Sequence, residues 1–139
     1  MNNYSFEDLT IGLSCEFFKR ITIDDVKVFS KLSGDLNPLH MNKEFAIKHG
    51  FRNQVVFGML TASLFSTLGG MYIPGEKCII QGVEIMFSKP VYVNDEITVK
   101  GRVVELFQSV GQAVIKVEMF NQNNERVLRG KLKAGVLSD

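Results

Sequence analysis

The first third of the chain carries apolar residues at helical spacing. Thr22 followed by Asp25 is typical of a capping box, and Ile21 and Val26 are spaced to pack together across the start of the helix. Gly34 is a suitable end for the helix that this pattern predicts. The positions expected on its buried face are Val26, Phe29 and Leu32.

Two further helices are indicated before the middle of the chain. Asn42 can cap a short helix that stops at Gly50, so His49 falls in its last turn, where an exposed imidazole suits the negative end. Residues 58–70 contain no charge and are apolar nearly all round. This second pattern predicts a buried helix bounded by glycines.

Beyond Pro74-Gly75 the sequence becomes rich in Val and Ile with partial alternation, which is typical of strands. One earlier strand is expected near Cys15 to Ile21. Four strands are expected in succession at Cys78 to Phe87, Glu96 to Leu106, Ala113 to Phe120 and Val127 to Val136. An antiparallel β-sheet wrapped around one long, central apolar helix is an α+β architecture.

Composition limits the functions that this fold could serve. The 139 residues are 45% hydrophobic, with no linker or repeat, so we expect a single domain over residues 1–139. A formal net charge of +1 gives no field to attract nucleic acid or a membrane surface, and neither partner is expected. The N-terminus lacks a basic region followed by an apolar run, which predicts a cytoplasmic protein.

Residues that could carry redox, metal or imidazole chemistry are few. Cys15 and Cys78 are too few for a zinc site or a disulfide framework, and we expect two reduced structural thiols. The sequence has no metal-ligand cluster, and Gly69-Gly70 with Gly75 does not make a dinucleotide fingerprint, so no metal, nicotinamide or flavin cofactor is expected. His40 and His49 are the only histidines.

One of these histidines lies in a segment with unusual polar chemistry. In residues 33–40, Asp35 precedes His40 by five positions, and Gly34 and Pro38 favour a sharp bend between the first two helices. Such a bend can bring the carboxylate and the imidazole to one point. The alternative is that Asp35 and Asn37 merely cap the loop, because both are good turn residues.

The run Phe29–Ala46, which contains this segment, resembles the hydratase motif of the MaoC-like (R)-specific enoyl-CoA hydratases, a family with the hot dog fold. Phe57–Ser66 and Gly82–Glu96 are similar to the start of the family's central helix and to its next strand and turn. The resemblance implies a lyase of fatty acid metabolism. Its reaction would hydrate trans-2-enoyl-CoA to (R)-3-hydroxyacyl-CoA, or run in reverse as a dehydration.

The resemblance also assigns roles to the polar residues of the loop. It makes Asp35 and His40 a catalytic dyad that grips and activates one water, and either member could take the first proton. It makes Asn37 a supporting residue that orients the loop or the water.

Two residues of the apolar helix receive roles in the same way. The Gly58 N–H would form the oxyanion hole, where the alternative is a simple helix-start glycine. Ser66 would be a supporting hydrogen-bonding residue, where the alternative is a bond from its hydroxyl to the carbonyl four residues earlier. Phe57 stands where relatives usually have His, which we expect to affect the pocket lining or local support rather than the dyad.

The substrate implied is an acyl thioester carried by CoA or an acyl carrier protein, and the protein would be a homodimer with sheets joined edge to edge. Lys89 or Arg52 could contact the phosphates of CoA. Two other functions remain open. One is a noncatalytic acyl-thioester-binding hot dog protein, and the other is a hot dog thioesterase, which the lack of any carboxylate in residues 58–70 disfavours.

Overall fold

A computed structural model describes all 139 residues. The strands are β1 (Ser14–Arg20), β2 (Cys78–Phe87), β3 (Glu96–Phe107), β4 (Gln112–Phe120) and β5 (Arg126–Val136). The helices are α1 (Ile23–Ser33), α2 (Pro38–Met41), α3 (Lys43–Lys48), α4 (Gly58–Ala62) and α5 (Leu64–Thr67), and a π-helical turn at Leu68–Tyr72 continues α5. All five predicted strands are present, within two residues of their expected ends.

The strands form one antiparallel sheet in the order β1-β3-β4-β5-β2. Consecutive strands β3, β4 and β5 pair as neighbours, whereas β1 and β2 occupy the two edges. The helical segment that begins with α4 precedes β2 in the chain and packs on one face of this sheet. The result is the α+β hot dog arrangement that the sequence predicts.

Contact between helix and sheet is close at Gly101 in β3. A Cβ atom at this glycine would lie 2.8 Å from a methyl group of Leu68, which is fully buried. The missing side chain therefore lets the helical segment approach the strand. Twenty-three buried residues from the helices, strands and loops form one contiguous apolar cluster at this interface.

The prediction of one buried helix over residues 58–70 is only partly right. The helical hydrogen bonding is irregular at Ser63, although the backbone of this residue stays in the right-handed helical region. One face is exposed, because the sheet of a single chain covers only the opposite side: Met59 is 64% exposed, and Ser63 and Ser66 are also exposed.

Helix α1 begins as predicted. The Thr22 hydroxyl accepts the Asp25 N–H at 3.2 Å, the Asp25 carboxylate accepts the Thr22 N–H at 2.9 Å, and Gly34 ends the helix at a φ of 77°. The expected buried face is wrong at Leu32, which is 83% exposed. Ser30 is buried instead, and its hydroxyl bonds to a backbone carbonyl of the preceding turn.

The short helix α3 also follows its prediction. The Asn42 side chain caps it by accepting the Phe45 N–H, and His49 is exposed at its end, bonded to the Phe45 carbonyl. None of the helices combines the length and the apolar character needed to cross a membrane.

Candidate active site

A cleft of about 310 Å³ brings His40 in α2 together with Gly58 at the start of α4. The chain between these helices and the end of β2 supply most of the remaining wall, which is largely apolar. The apolar side chains that line it are Phe51, Val55, Val56, Phe87, Pro90, Val91 and Val127. The cleft therefore combines an imidazole and a helix start with a surface suited to an aliphatic group.

The His40 imidazole is held by a backbone carbonyl. Asn37 caps α2 with its side-chain oxygen, which accepts the Leu39 N–H at 2.9 Å and fixes the turn before His40. Nδ1 of the imidazole lies 2.6 Å from the Val55 carbonyl oxygen. Because a carbonyl can only accept, Nδ1 carries the hydrogen, and in the neutral form of the imidazole the lone pair on Nε2 is free. The free lone pair is available to act as a base.

Phe57 supports the imidazole from a second side. Its ring is 2% exposed and its centroid lies 4.3 Å from that of the His40 ring. The ring of Phe29 in α1 also packs against the Phe57 ring, with 5.0 Å between the two ring centroids. Phe57 thus packs its apolar ring against His40, and this is the local support expected at this position.

Gly58 lies at the start of α4 with an unpaired backbone donor. Its N–H has no hydrogen-bond partner within the chain, and the preceding residue gives no side-chain cap. A Cβ atom here would lie 3.0 Å from two ring carbons of Phe87. A larger residue would therefore have to displace Phe87, and glycine leaves the donor open at the positive end of the helix.

The structure does not bring Asp35 into this cleft within a single chain. Asp35 is exposed, and one carboxylate oxygen accepts the Asn37 N–H at 3.0 Å while its own N–H donates to the Ser33 hydroxyl. No hydrogen bond joins Asp35 to His40. The bonds that Asp35 and Asn37 do make are the turn contacts considered as the alternative for these residues.

Ser66 lies outside the cleft, on the exposed face of α5. Eight residues separate it from Gly58, so within one chain it is about two helical turns away from the unpaired donor. Within one chain, Ser66 therefore does not share the cleft with His40.

Among the cleft residues that the sequence did not identify, Thr61 and Phe87 are the two that bear on Gly58. Thr61 lines the cleft, is 2% exposed, and carries the only buried side-chain oxygen or nitrogen without a hydrogen-bond partner. Its spacing of three residues from Gly58 on a helix was a signal that could have identified it. Phe87 could not be identified in this way, because its contact with Gly58 joins distant parts of the chain.

The two cysteines show no sign of nucleophilic activation. Both are free thiols, as expected. Burial raises the pKa of Cys15 to about 11 and also raises the pKa of Cys78. Since the thiolate is the reactive form, neither side chain is suited to attack a thioester at neutral pH. No group of three or more His, Cys, Asp or Glu side chains converges on a possible metal position.

The cations considered for the CoA phosphates lie near the cleft but already have acidic partners. Lys89 lines the cleft and pairs with Glu125, and this hydrogen bond holds the pKa of the Glu125 carboxyl below its usual range. The Arg52 guanidinium stacks 3.9 Å from the ring centre of Tyr92 and lies 3.8 Å from an oxygen of Asp95. A phosphate would have to compete with these carboxylates.

Comparison with known proteins gives consistent matches. The family described as MaoC like domain matches residues 10–126. An (R)-specific enoyl-CoA hydratase from Aeromonas caviae is 35% identical over 127 residues, which cover 91% of this chain and 95% of the relative. A 3-hydroxybutyryl-CoA dehydratase from Methylorubrum extorquens is 36% identical over 101 residues. These residues cover 73% of this chain and 64% of the dehydratase.

Solved structures show the same fold. The hydratase from A. caviae superposes with a TM-score of 0.89 at 34% identity, covering 94% of this chain and 99% of that one. An R-hydratase from Pseudomonas aeruginosa gives a TM-score of 0.91 at 26% identity, covering 99% and 88%.

Proposed function

This chain belongs to the MaoC-like domain family, and from that premise we propose that it hydrates trans-2-enoyl thioesters to (R)-3-hydroxyacyl thioesters, or catalyses the reverse dehydration. Relatives named as a hydratase and a dehydratase support this lyase chemistry. The observation that carries the proposal is the pairing, in one apolar cleft, of an imidazole with a free Nε2 and an unpaired N–H at Gly58.

In the proposed hydration, His40 grips one water molecule together with Asp35, which is exposed in the single chain and which we propose reaches the cleft in the assembled dimer. The water oxygen bonds to the β-carbon as its proton passes to the dyad, and the electrons of the carbon–carbon double bond move toward the thioester carbonyl. The dyad then returns a proton to the α-carbon. Asn37 supports this step because its cap on α2 fixes the turn that carries His40.

The negative charge of the enolate-like intermediate develops on the thioester oxygen. We propose that the Gly58 N–H donates a hydrogen bond to this oxygen. The donor has no internal partner, and it lies where the helix dipole favours negative charge. An unpaired donor of this kind needs no reorganisation when the charge appears.

The partner we propose is a second copy of residues 1–139, acting as one hot dog unit. Edge strand β2 supports this, because an uncovered edge with apolar side chains invites pairing. Five of its side chains are between 42% and 58% exposed: Ile79, Ile80, Val83, Met86 and Phe87. Ser66 also lies on an uncovered helix face, and we propose that it hydrogen-bonds within the site only in the assembled dimer.

Sedimentation of a Val83→Lys variant tests this assembly. We expect the wild-type chain to sediment as a dimer and the variant, which places a charge on the β2 edge, to shift toward the monomer. A monomeric wild-type chain at micromolar concentration would rule out the proposed partner.

The reaction needs no cofactor beyond the CoA or acyl-carrier thioester that forms part of the substrate. The test is a panel of enoyl thioesters of increasing chain length, starting with crotonyl, on both carriers. We expect the absorbance of the conjugated enoyl group to fall with at least one member. No fall with any chain length or carrier would contradict the proposed function, and would favour a noncatalytic binding protein if the thioesters still bind.

A further inference from the structure

Thr61 carries a hydroxyl that the structure leaves without a partner. The residue is 2% exposed and lines the cleft that contains His40 and Gly58. Its Oγ1 is the only buried side-chain oxygen or nitrogen in the chain that makes no hydrogen bond. Burying an unpaired hydroxyl costs stability, so this exception calls for a physical explanation.

The usual partner of a helical threonine is not available here. A threonine inside a helix commonly donates its hydroxyl hydrogen to the carbonyl four residues earlier, which in this case belongs to Phe57. That carbonyl already accepts the N–H groups of Leu60 at 3.0 Å and Thr61 at 3.2 Å. Both of its lone pairs are therefore in use, and the hydroxyl of Thr61 stays free.

Thr61 lies on the same side of the helix as Gly58, whose N–H is unpaired. Residues three apart are neighbours on a helix surface, and helical side chains tilt toward the N-terminus. The Thr61 side chain therefore leans toward the end of α4 at which the Gly58 N–H is open. Rotation about χ1 exchanges Oγ1 with the methyl group, and threonine populates two such rotamers in helices, so no backbone movement is needed to present the hydroxyl to the cleft.

We propose that the Thr61 hydroxyl is a second donor to the thioester oxygen, beside the Gly58 N–H. This inference rests on the proposed hydration and extends it by one catalytic residue. A neutral hydroxyl gives up no proton when it donates, and in an apolar cleft its hydrogen bond to a developing oxyanion is stronger than in water. The Thr61 hydroxyl, which is unpaired in the free protein, then gains a hydrogen-bond partner when the substrate binds.

The attacking water is a less suitable partner for this hydroxyl. In the proposed mechanism, the water is held by His40 and Asp35, which belong to α2 and the loop before it. Thr61 and Gly58 instead share one helix turn. Two donors on one rigid turn, aimed at one oxygen, are a simple way to build an oxyanion hole.

Replacement of the hydroxyl by a methyl group separates this proposal from a purely structural role. We expect Thr61→Val to raise Tm, because an unpaired buried hydroxyl is removed, and yet to lower kcat by about 100-fold with little change in KM. Thr61→Ser keeps the hydroxyl and should retain kcat within about threefold. Thr67→Val, a matched change outside the cleft, should leave kcat unchanged.

Each other outcome has a distinct meaning. A more stable Thr61→Val variant with unchanged kcat would show that the hydroxyl does not touch the reacting oxygen. A less stable variant would show that the hydroxyl makes a structural hydrogen bond, and this also overturns the proposal. If the valine variant does not fold, Thr61→Ala must show the same loss of kcat. A wild-type chain that hydrates no enoyl thioester would instead contradict the proposed function itself.

Discussion

The two chain segments that carry the proposed catalytic residues are held in place in different ways. The first segment is the motif loop, residues 33–40. The second segment is the helix start, residues 57–61. In the motif loop, Asp35 and Asn37 are exposed and bond to nearby backbone, whereas His40 is half-buried and bonds to the Val55 carbonyl. In the helix start, Phe57 and Thr61 are buried and packed among residues from distant parts of the chain.

This difference separates the residues proposed to take part in the reaction from the residues that hold the cleft together. Apart from His40, which packs against Phe57, the polar side chains of the motif loop contribute few packing contacts, so their substitution should remove activity while the protein stays folded. Side chains of the helix start hold the cleft together, so their substitution should change activity and stability at once. Proteins commonly carry functional residues on loops that a rigid scaffold positions.

The largest effect is expected in the motif loop. We expect Asp35→Asn and His40→Ala each to lower kcat by about 100-fold or more, since each removes a proposed acid or base. Asp35 is exposed, so the asparagine variant should keep the wild-type Tm. The matched control is His49→Ala, which removes the exposed imidazole at the end of α3 and should leave kcat unchanged. Turnover of crotonyl-CoA and thermal unfolding together check this, and near wild-type turnover in either loop variant would remove that residue from the dyad.

A smaller effect on activity, joined to a loss of stability, is expected in the helix start. Phe57→Leu removes the ring that packs 4.3 Å from the His40 imidazole. We expect the free energy of unfolding to fall by roughly 1–3 kcal/mol, because the smaller side chain leaves space in the core. We also expect kcat to fall by about 10-fold, because the imidazole is less well positioned. Denaturant titration and steady-state kinetics measure the two effects, and a loss of stability with unchanged kcat would make Phe57 a core residue only.

The smallest effect is expected at a helix cap that lies outside both segments. Thr22→Ala removes the hydroxyl that accepts the Asp25 N–H and should lower the free energy of unfolding by about 1 kcal/mol without changing kcat. A change in kcat here would show that stability and activity are not separable as proposed.

Acid should reduce the contribution of the same cap. The Thr22 N–H, which donates to the Asp25 carboxylate, holds the pKa of Asp25 below its usual value. A depressed pKa adds stability above the unfolded pKa of about 3.9, and this stability is lost as the pH falls through the lower folded value. Asp25→Asn should therefore destabilise the protein at pH 7, with the difference from wild type shrinking below about pH 4. Unfolding followed across this range measures it, and a difference independent of pH would contradict the assignment.

The fold was predictable from the sequence because its signals are local. Strand limits follow from Val and Ile runs between turn residues, and the start of α1 follows from Thr22 and Asp25 alone. The exposure of Leu32 and the uncovered face of α5 were not predictable in this way. Both depend on which side of a helix the sheet covers, and this is set by contacts between distant residues.

The site also has features that a local motif predicts and features that it does not. The sequence motif identified His40 and Gly58, which do line one cleft. The motif could not reveal that Phe87 covers Gly58. It also could not reveal that the Phe57 carbonyl already accepts two hydrogen bonds, which leaves the Thr61 hydroxyl unpaired. The contact of Phe87 with Gly58 and the burial of Thr61 appear only when the strand and the helix are packed together.

The most direct test of the central claim, that this cleft adds water across an enoyl thioester, is to incubate the chain with crotonyl-CoA in D₂O and analyse the product by mass spectrometry and chiral separation. We expect 3-hydroxybutyryl-CoA with a single deuterium bound at the α-carbon and the (R) configuration at the β-carbon, because the proton returned by the dyad comes from solvent. Release of free CoA and crotonate, or recovery of every enoyl thioester of the panel unchanged, would contradict the claim.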